Sequence, residues 1–230
     1  MNHSHRRKKL SPRQRQIRTR KYTKIGILIL IILAVTCIGL KLLNPGWISR
    51  KYTEISNQQV DASEPDINVQ LLTVNPYSRP GTETDRITGI VVHYTANPGS
   101  TAMDNRNYFE SLKDTHETKV SSNFVIGLEG EIVQCVPTWE VAYASNSRNN
   151  DTVSIECCHP DESGKFTDAT YRSMVQLCAW LCLKFDLDEN DVIRHYDVTG
   201  KNCPKYFVEN EEAFTQFRED IRNAIKNTPS

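Results

Sequence analysis

Two histidines and one cysteine have the residue types of a zinc site. His93 lies near the C-terminal end of a β-branched segment, His195 ends a short predicted strand (191–195), and Cys203 follows His195 by eight positions. Zinc binds imidazole nitrogen and thiolate sulfur, and a catalytic site leaves its fourth position for water or substrate. The three residues therefore fit a catalytic zinc centre. Their spacing alone leaves open that they are hydrogen-bonded structural histidines and a core cysteine.

Alternating strand and helix patterns surround these residues. The predicted strands are at 87–95, 122–128, 131–136, 152–158 and 191–195, and the predicted helices are at 102–112, 168–185 and 211–225. Glu129 and Gly130 form a hairpin turn signal, while Thr101 (or Ser100), Thr167 and Asn210 are candidate N-caps. Strands interleaved with helices predict an α/β domain with a single mixed β-sheet flanked by helices.

Four blocks of sequence resemble a known family. They are VVHYTAN (91–97), GEIVQCVP (130–137), NDTVSIEC (150–157) and RHYDVTGKNCP (194–204). In this order and with these separations they resemble the zinc-dependent N-acetylmuramoyl-L-alanine amidases, whose fold is shared by phage lysozyme-like amidases and peptidoglycan recognition proteins. The resemblance extends over about 87–207.

The resemblance implies a role for each candidate residue. It makes His93, His195 and Cys203 the zinc ligands, with Cys203 a metal-bound thiolate and not a nucleophile. Glu156 matches the general base that takes a proton from water, and Lys201 matches the lysine that stabilises the oxyanion. The implied reaction is hydrolysis of the amide bond between N-acetylmuramic acid and L-alanine of peptidoglycan, with Zn²⁺ as cofactor.

Alternatives remain for several of these residues and for the function. Glu156 could be a solvated residue on the polar face of its strand, and Lys201 an ordinary loop lysine. Asp197 could orient a ligand imidazole or cap the turn before Lys201. The other function classes are a peptidoglycan-binding module that does not cleave, and a thiol hydrolase in which Cys203 attacks with a histidine as base.

Two blocks depart from the family pattern. Residues 121–124 read SSNF where many relatives have a Tyr or a His-Tyr pair, and residues 142–145 read AYAS where Trp-His-Ala-Gly is common. Tyr143 could still line the cleft. These changes leave the proposed ligands, base and lysine intact, so they bear on substrate preference. His116 and His159 have polar neighbours in the sequence and are predicted to lie at the surface.

Most of the cysteines are expected to pack as free thiols in apolar surroundings, and Cys203, a candidate zinc ligand, is the exception. There are seven: Cys37, Cys135, Cys157, Cys158, Cys178, Cys182 and Cys203. Cys178 and Cys182 are four residues apart in a helical pattern, and helix geometry makes a bridge between them unfavourable. A free buried thiol packs as a small apolar group.

The charge of the chain is unevenly distributed. Lys and Arg number 28, as do Asp and Glu, but residues 1–43 contain eleven basic residues and no acidic one. The remaining residues carry 17 basic and 28 acidic side chains, a formal charge of −11. This distribution excludes a uniformly basic nucleic-acid-binding protein, and no nucleic acid partner is expected.

An apolar run near the N-terminus predicts a membrane anchor. Residues 25–40 contain no charge, and 25–43 as a helix would reach roughly 28 Å, with Lys41 snorkelling to the interface. A cleaved secretory signal is the alternative, but no small-residue cleavage site follows Leu43. We therefore expect a single-pass cell-membrane protein with a cytoplasmic basic tail (1–24), a transmembrane signal anchor (25–43), a linker (44–75) and an extracytoplasmic zinc amidase domain (76–230).

Overall fold

The structure of the protein is a computed structural model that describes residues 60–228. The expected basic tail and membrane anchor, 1–24 and 25–43, lie outside the described residues. Between residues 60 and 228 no helix has both the length and the apolar character needed to cross a bilayer. One mixed sheet flanked by helices occupies this part of the chain, which confirms the predicted α/β class.

Six strands form the sheet in the order β1–β4–β3–β5–β2–β6. They are β1 (Ile67–Val69), β2 (Gly89–Tyr94), β3 (Phe124–Ile126), β4 (Ile132–Gln134), β5 (Thr152–Cys157) and β6 (Val192–Arg194). Strands β3 and β4 are antiparallel, and the other neighbouring pairs are parallel. The hairpin predicted at Gly130 is confirmed. Gly130 has a φ of +85°, which glycine adopts at little steric cost.

Within residues 60–228, five α-helices connect and cover the strands. They are α1 (Ala102–Thr115), α2 (Asp168–Phe185), α3 (His195–Thr199), α4 (Lys205–Glu209) and α5 (Glu211–Asn227). The Thr101 hydroxyl accepts from the Asp104 amide at 3.1 Å, and Thr167 caps α2 in the same way. Asn210 precedes α5 as predicted, but its side chain donates to the Tyr206 carbonyl and caps nothing.

The two faces of the sheet are covered by different helices. On one face, Phe109 of α1 belongs to a buried cluster with Val125 of β3. On the other, α2 and α5 pack together, with the Tyr171 and Phe217 rings edge to face at 5.7 Å between centroids. Val125 is in register with Glu156 on the neighbouring strand, so both side chains point to the same face. Glu156 therefore lies on the α1 side of the sheet.

Part of the predicted linker belongs to the folded domain. Strand β1, within 44–75, pairs in parallel with β4 at the edge of the sheet. The Arg106 guanidinium donates to the carbonyls of Gln70 and Leu71, both at 3.0 Å, and Leu72 is buried in the α1 cluster. The linker prediction was therefore wrong for the stretch from β1 onward. A three-residue edge strand is too short to produce a period in the sequence.

The free-thiol prediction is confirmed for the five cysteines from Cys135 to Cys182, and one histidine prediction is wrong. All six cysteines from Cys135 to Cys203 are free and buried. His116 is exposed as expected, but His159 is only 1% exposed. The His159 ring stacks on Tyr94 at 5.1 Å, and its Nδ1 bonds the Asp161 carbonyl. Polar sequence neighbours gave no sign of this ring contact, which the fold creates.

Candidate metal centre

The pairing of strands β2, β5 and β6 brings His93, Glu156 and His195 together at the carboxyl-terminal ends of these strands. His93 of β2 is in register with Glu156 of β5. On the other side of β2, Val92 is in register with Arg194, the last residue of β6, and His195 follows directly as the first residue of α3. Because the carboxyl ends of parallel strands meet at one edge, residues distant in sequence become neighbours there.

Cys203 completes a compact, buried cluster with the two histidines. One ring nitrogen each from His93 and His195 and the Cys203 sulfur lie within 4.8 Å of one another. Cys203 Sγ is 3.8 Å from His93 Nδ1, and the two imidazole centroids are 4.6 Å apart. The Tyr196 amide donates to the Cys203 carbonyl at 2.8 Å, which fixes the loop that returns Cys203 to the histidines.

The donor atoms of this cluster fit a zinc ion. His93 Nε2 contacts Ser145 Oγ at 3.2 Å, and His195 Nε2 contacts Asn146 Oδ1 at 2.8 Å. In residues 60–228, the buried Nδ1 of His195 has no hydrogen-bond partner. Ligands at zinc–ligand distances of about 2.0–2.3 Å in a tetrahedron lie about 3.3–3.8 Å apart. The separation of 3.8 Å between His93 Nδ1 and Cys203 Sγ falls in this range, and all three donor atoms lie within 4.8 Å of one another. Two imidazoles and a thiolate are also a ligand set that zinc accepts.

Glu156 lies beside these donor atoms, and one of its carboxylate oxygens has no hydrogen-bond partner among the described residues. Its Oε1 is 4.0 Å from His93 Nδ1, and its buried Oε2 has no hydrogen-bond partner among the described residues. Burial raises the pKa of the Glu156 carboxyl to about 8, although the Lys201 charge lowers it. A largely buried carboxyl next to the donor cluster, with one oxygen unbonded, is suited to exchange a proton with a molecule bound there.

Lys201 is exposed and lies outside the buried cluster. It follows α3 directly after Gly200, whose φ of +76° ends the helix. Its charge reaches the cluster nevertheless. Burial lowers the pKa of His195, and Lys201 lowers it further; burial, His195 and Lys201 together hold the pKa of His93 well below its usual value. Lys201 thus supplies positive potential from the rim of the site.

Asp197 caps helix α3 and does not orient a histidine ring. The rings of His93 and His195 are contacted instead by two residues to which the sequence analysis gave no role. The Arg194 amide donates to Asp197 at 2.8 Å and its guanidinium at 2.9 Å, so Asp197, in the first turn of α3, stabilises the start of this helix. Ser145 and Asn146 contact the histidine rings instead. The available signal was a polar run, 145–151, immediately before β5. Polar runs are typical of any surface loop, so this signal did not identify a role.

The departures from the family pattern have mainly structural partners. Ser121, Ser122 and Asn123 are buried. The Asn123 amide donates to the Pro137 carbonyl at 3.0 Å, and its Oδ1 accepts from the Ser154 amide at 2.9 Å. Tyr143 is partly exposed. These contacts tie the hairpin to β5, whereas Ser145, the last residue of the second block, contacts His93.

The fold and the buried cluster define a class of α/β protein. In this class, two histidines and a cysteine, which are ligands that zinc accepts, lie at the carboxyl ends of parallel strands. The family model described as N-acetylmuramoyl-L-alanine amidase matches residues 83–206, more than half of the chain. The chain therefore belongs to the N-acetylmuramoyl-L-alanine amidase family, as the four sequence blocks predicted. His93, Glu156, His195 and Cys203 all lie within the matched region.

Individual relatives agree with this family. The chain is 32% identical to the N-acetylmuramoyl-L-alanine amidase CwlL of Bacillus licheniformis, over 67% of this chain and 46% of CwlL. It is 30% identical to the amidase BlyA of Bacillus subtilis, over 66% and 45%. The chain thus spans about half the length of the curated relatives it matches. A mutant endolysin from Bacillus subtilis, 24% identical, shares the fold with a TM-score of 0.57 over 67% of this chain and 99% of the endolysin.

Proposed function

We propose that this protein is a zinc-dependent cell-wall hydrolase that cleaves the amide bond between N-acetylmuramic acid and L-alanine in peptidoglycan. The observation that carries the proposal is the buried group of His93, His195 and Cys203 with Glu156 at its side, in a chain of the amidase family. When bound, zinc polarises the scissile carbonyl and lowers the pKa of water. His93, His195 and Cys203 would hold the ion.

Glu156 is the proposed general base. Its carboxylate would take a proton from water as the water oxygen bonds to the carbonyl carbon, and would pass that proton to the L-alanine nitrogen as the carbon–nitrogen bond breaks. Lys201 would offer positive charge near the developing oxyanion. Lys201 is exposed, where a bound substrate could reach it.

Two other functions have less support. Burial raises the pKa of the Cys203 thiol to about 12, whereas nucleophilic cysteines have a lowered pKa and are partly exposed. This disfavours a thiol hydrolase. A binding module without catalysis would need neither a complete donor set nor a buried carboxyl beside it. Both are present in this chain.

Digestion of purified cell-wall sacculi tests the proposed reaction. We expect the soluble fragment 44–230, loaded with zinc, to release stem peptides that begin with L-alanine and to leave glycan strands with free lactyl carboxyl groups. Mass spectrometry of both fractions identifies the bond cleaved. A chelator should stop the release and added zinc restore it. A fragment that binds one zinc ion and the sacculi but releases no peptide would show a binding module.

We propose further that residues 25–43 anchor the protein in the cell membrane, with the amidase domain outside. Support comes from the uncharged run at 25–40 and from the ten basic residues before it, since cytoplasmic flanks of membrane spans are rich in Lys and Arg. The full-length chain should sediment with membranes and be degraded by protease added to spheroplasts. Recovery in the soluble cytoplasmic fraction would contradict the anchor.

A further inference from the structure

One short loop contacts both proposed histidine ligands through their Nε2 atoms. Ser145 Oγ lies 3.2 Å from His93 Nε2, and Asn146 Oδ1 lies 2.8 Å from His195 Nε2. Consecutive residues of the loop before β5 thus reach one imidazole each. Both Nδ1 atoms therefore remain available to a metal ion. That of His93 lies 3.8 Å from Cys203 Sγ, and that of His195 is buried without a hydrogen-bond partner in residues 60–228.

The chemistry of the Asn146 oxygen decides which His195 nitrogen carries the hydrogen. An amide oxygen only accepts hydrogen bonds, so the His195 Nε2 facing it must be the donor. A neutral imidazole with hydrogen on Nε2 has its lone pair on Nδ1. That lone pair is what a metal ion binds. The Ser145 hydroxyl both donates and accepts, so it orients the His93 ring without selecting its tautomer.

The loop is held rigidly enough to orient these rings. Asn149 Oδ1 accepts from the amides of Ala144 and Ser145, at 3.1 and 2.6 Å. Asn146 has a φ of +53°, a left-handed conformation that asparagine adopts more readily than most residues. The Thr152 hydroxyl bonds the Arg148 carbonyl at 2.6 Å and joins the loop to β5. These contacts fix the backbone that carries the Ser145 and Asn146 side chains toward the histidines.

We propose that Asn146, assisted by Ser145, is a positioning residue that holds His195 in the tautomer and orientation required for metal binding. The inference rests on the proposed function, because it presumes that His93, His195 and Cys203 bind zinc. Asn146 should matter more than Ser145, since its contact is shorter and only Asn146 selects the tautomer. Outer hydrogen-bond partners of metal-bound histidines typically contribute 10–100-fold in metal affinity.

Asn146→Gly and Asn146→Asp distinguish the effect of the Asn146 side-chain acceptor on zinc binding from the effect of its backbone conformation. Glycine accepts the left-handed backbone without strain and removes the acceptor, and exposed Asn146 contributes little to the core. In the full-length protein in detergent, competition with a chromogenic chelator should show that Asn146→Gly binds zinc about 10–100-fold more weakly. Asn146→Asp keeps the acceptor and should retain wild-type affinity. Ser145→Ala should lose less than Asn146→Gly.

Ser147→Ala is the matched control, because Ser147 lies in the same turn, is exposed and contacts neither histidine ring. It should bind zinc as wild type does, and the metal-free unfolding midpoint should be unchanged in all these variants. In metal-free protein, ¹⁵N shifts of His195 should show hydrogen on Nε2 in wild type and mixed tautomers in Asn146→Gly.

Two results would overturn the positioning role. One is wild-type zinc affinity in Asn146→Gly, and the other is a metal-free wild-type His195 with its hydrogen on Nδ1. A wild-type chain that binds no zinc would instead overturn the proposed metal centre. The ¹⁵N measurement needs no metal, so it distinguishes the two failures.

Discussion

Glu156→Gln is expected to lower the turnover of peptidoglycan by about 10²–10⁴-fold, the usual contribution of a general base. Glutamine has nearly the same shape as glutamate but cannot take the proton from water. The substituted residue would occupy the same position beside His93, 4.0 Å away in the structure. Zinc should therefore remain bound at one ion per chain. Stem-peptide release and zinc content, measured on the same preparation, test both parts of this prediction.

Glu129→Gln is the control for this change. Glu129 is an exposed glutamate in the hairpin turn before Gly130, and its substitution should leave turnover unchanged. Undiminished turnover in Glu156→Gln would show that another group accepts the proton. Loss of zinc together with turnover would assign Glu156 to metal binding and leave its role as a base without support.

His93→Ala is expected to abolish both zinc binding and turnover. His93 is buried at the centre of the cluster, in contact with Cys203 and Glu156, and its removal leaves two donors where a catalytic zinc site uses three. We expect the zinc affinity to fall by more than the roughly 10–100-fold that loss of an outer hydrogen-bond partner costs. Zinc content after dialysis, with circular dichroism to verify folding, measures the effect.

Cys203→Ala provides the same test with a smaller loss of volume, in case the cavity left by His93→Ala impairs folding. His116→Asn is the histidine control: His116 is exposed, stacks on Tyr77 and has a φ of +57° that asparagine tolerates. This control should keep zinc and activity. One zinc ion per chain in His93→Ala would remove His93 from the ligand set.

Cys203→Asp separates the zinc mechanism from a thiol mechanism. Aspartate is a zinc ligand but not a thiol nucleophile, so a zinc hydrolase should retain metal and measurable turnover. A thiol hydrolase should lose all turnover with this change. Activity that resists a chelator but is stopped by thiol alkylation would support the thiol mechanism.

Several features of the fold could be predicted because they leave a local pattern in the sequence. The apolar stripe and Thr167 cap of α2, the β-branched residues of β2 and the turn at Gly130 all appear in the structure as expected. Strand β1 did not, because three residues at a sheet edge produce no period. His159 is buried by the ring of Tyr94, a residue 65 positions away along the chain.

For the site, residue type and family blocks in the sequence determined the candidates: His93, His195 and Cys203 as ligands, Glu156 as base and Lys201 at the rim. Only the tertiary structure decided which atoms face one another. Strand register sets His93 between Glu156 and His195, and a loop distant in sequence places Asn146 against His195. The physical reason is that donor chemistry belongs to a single residue, whereas a hydrogen bond depends on the positions of two.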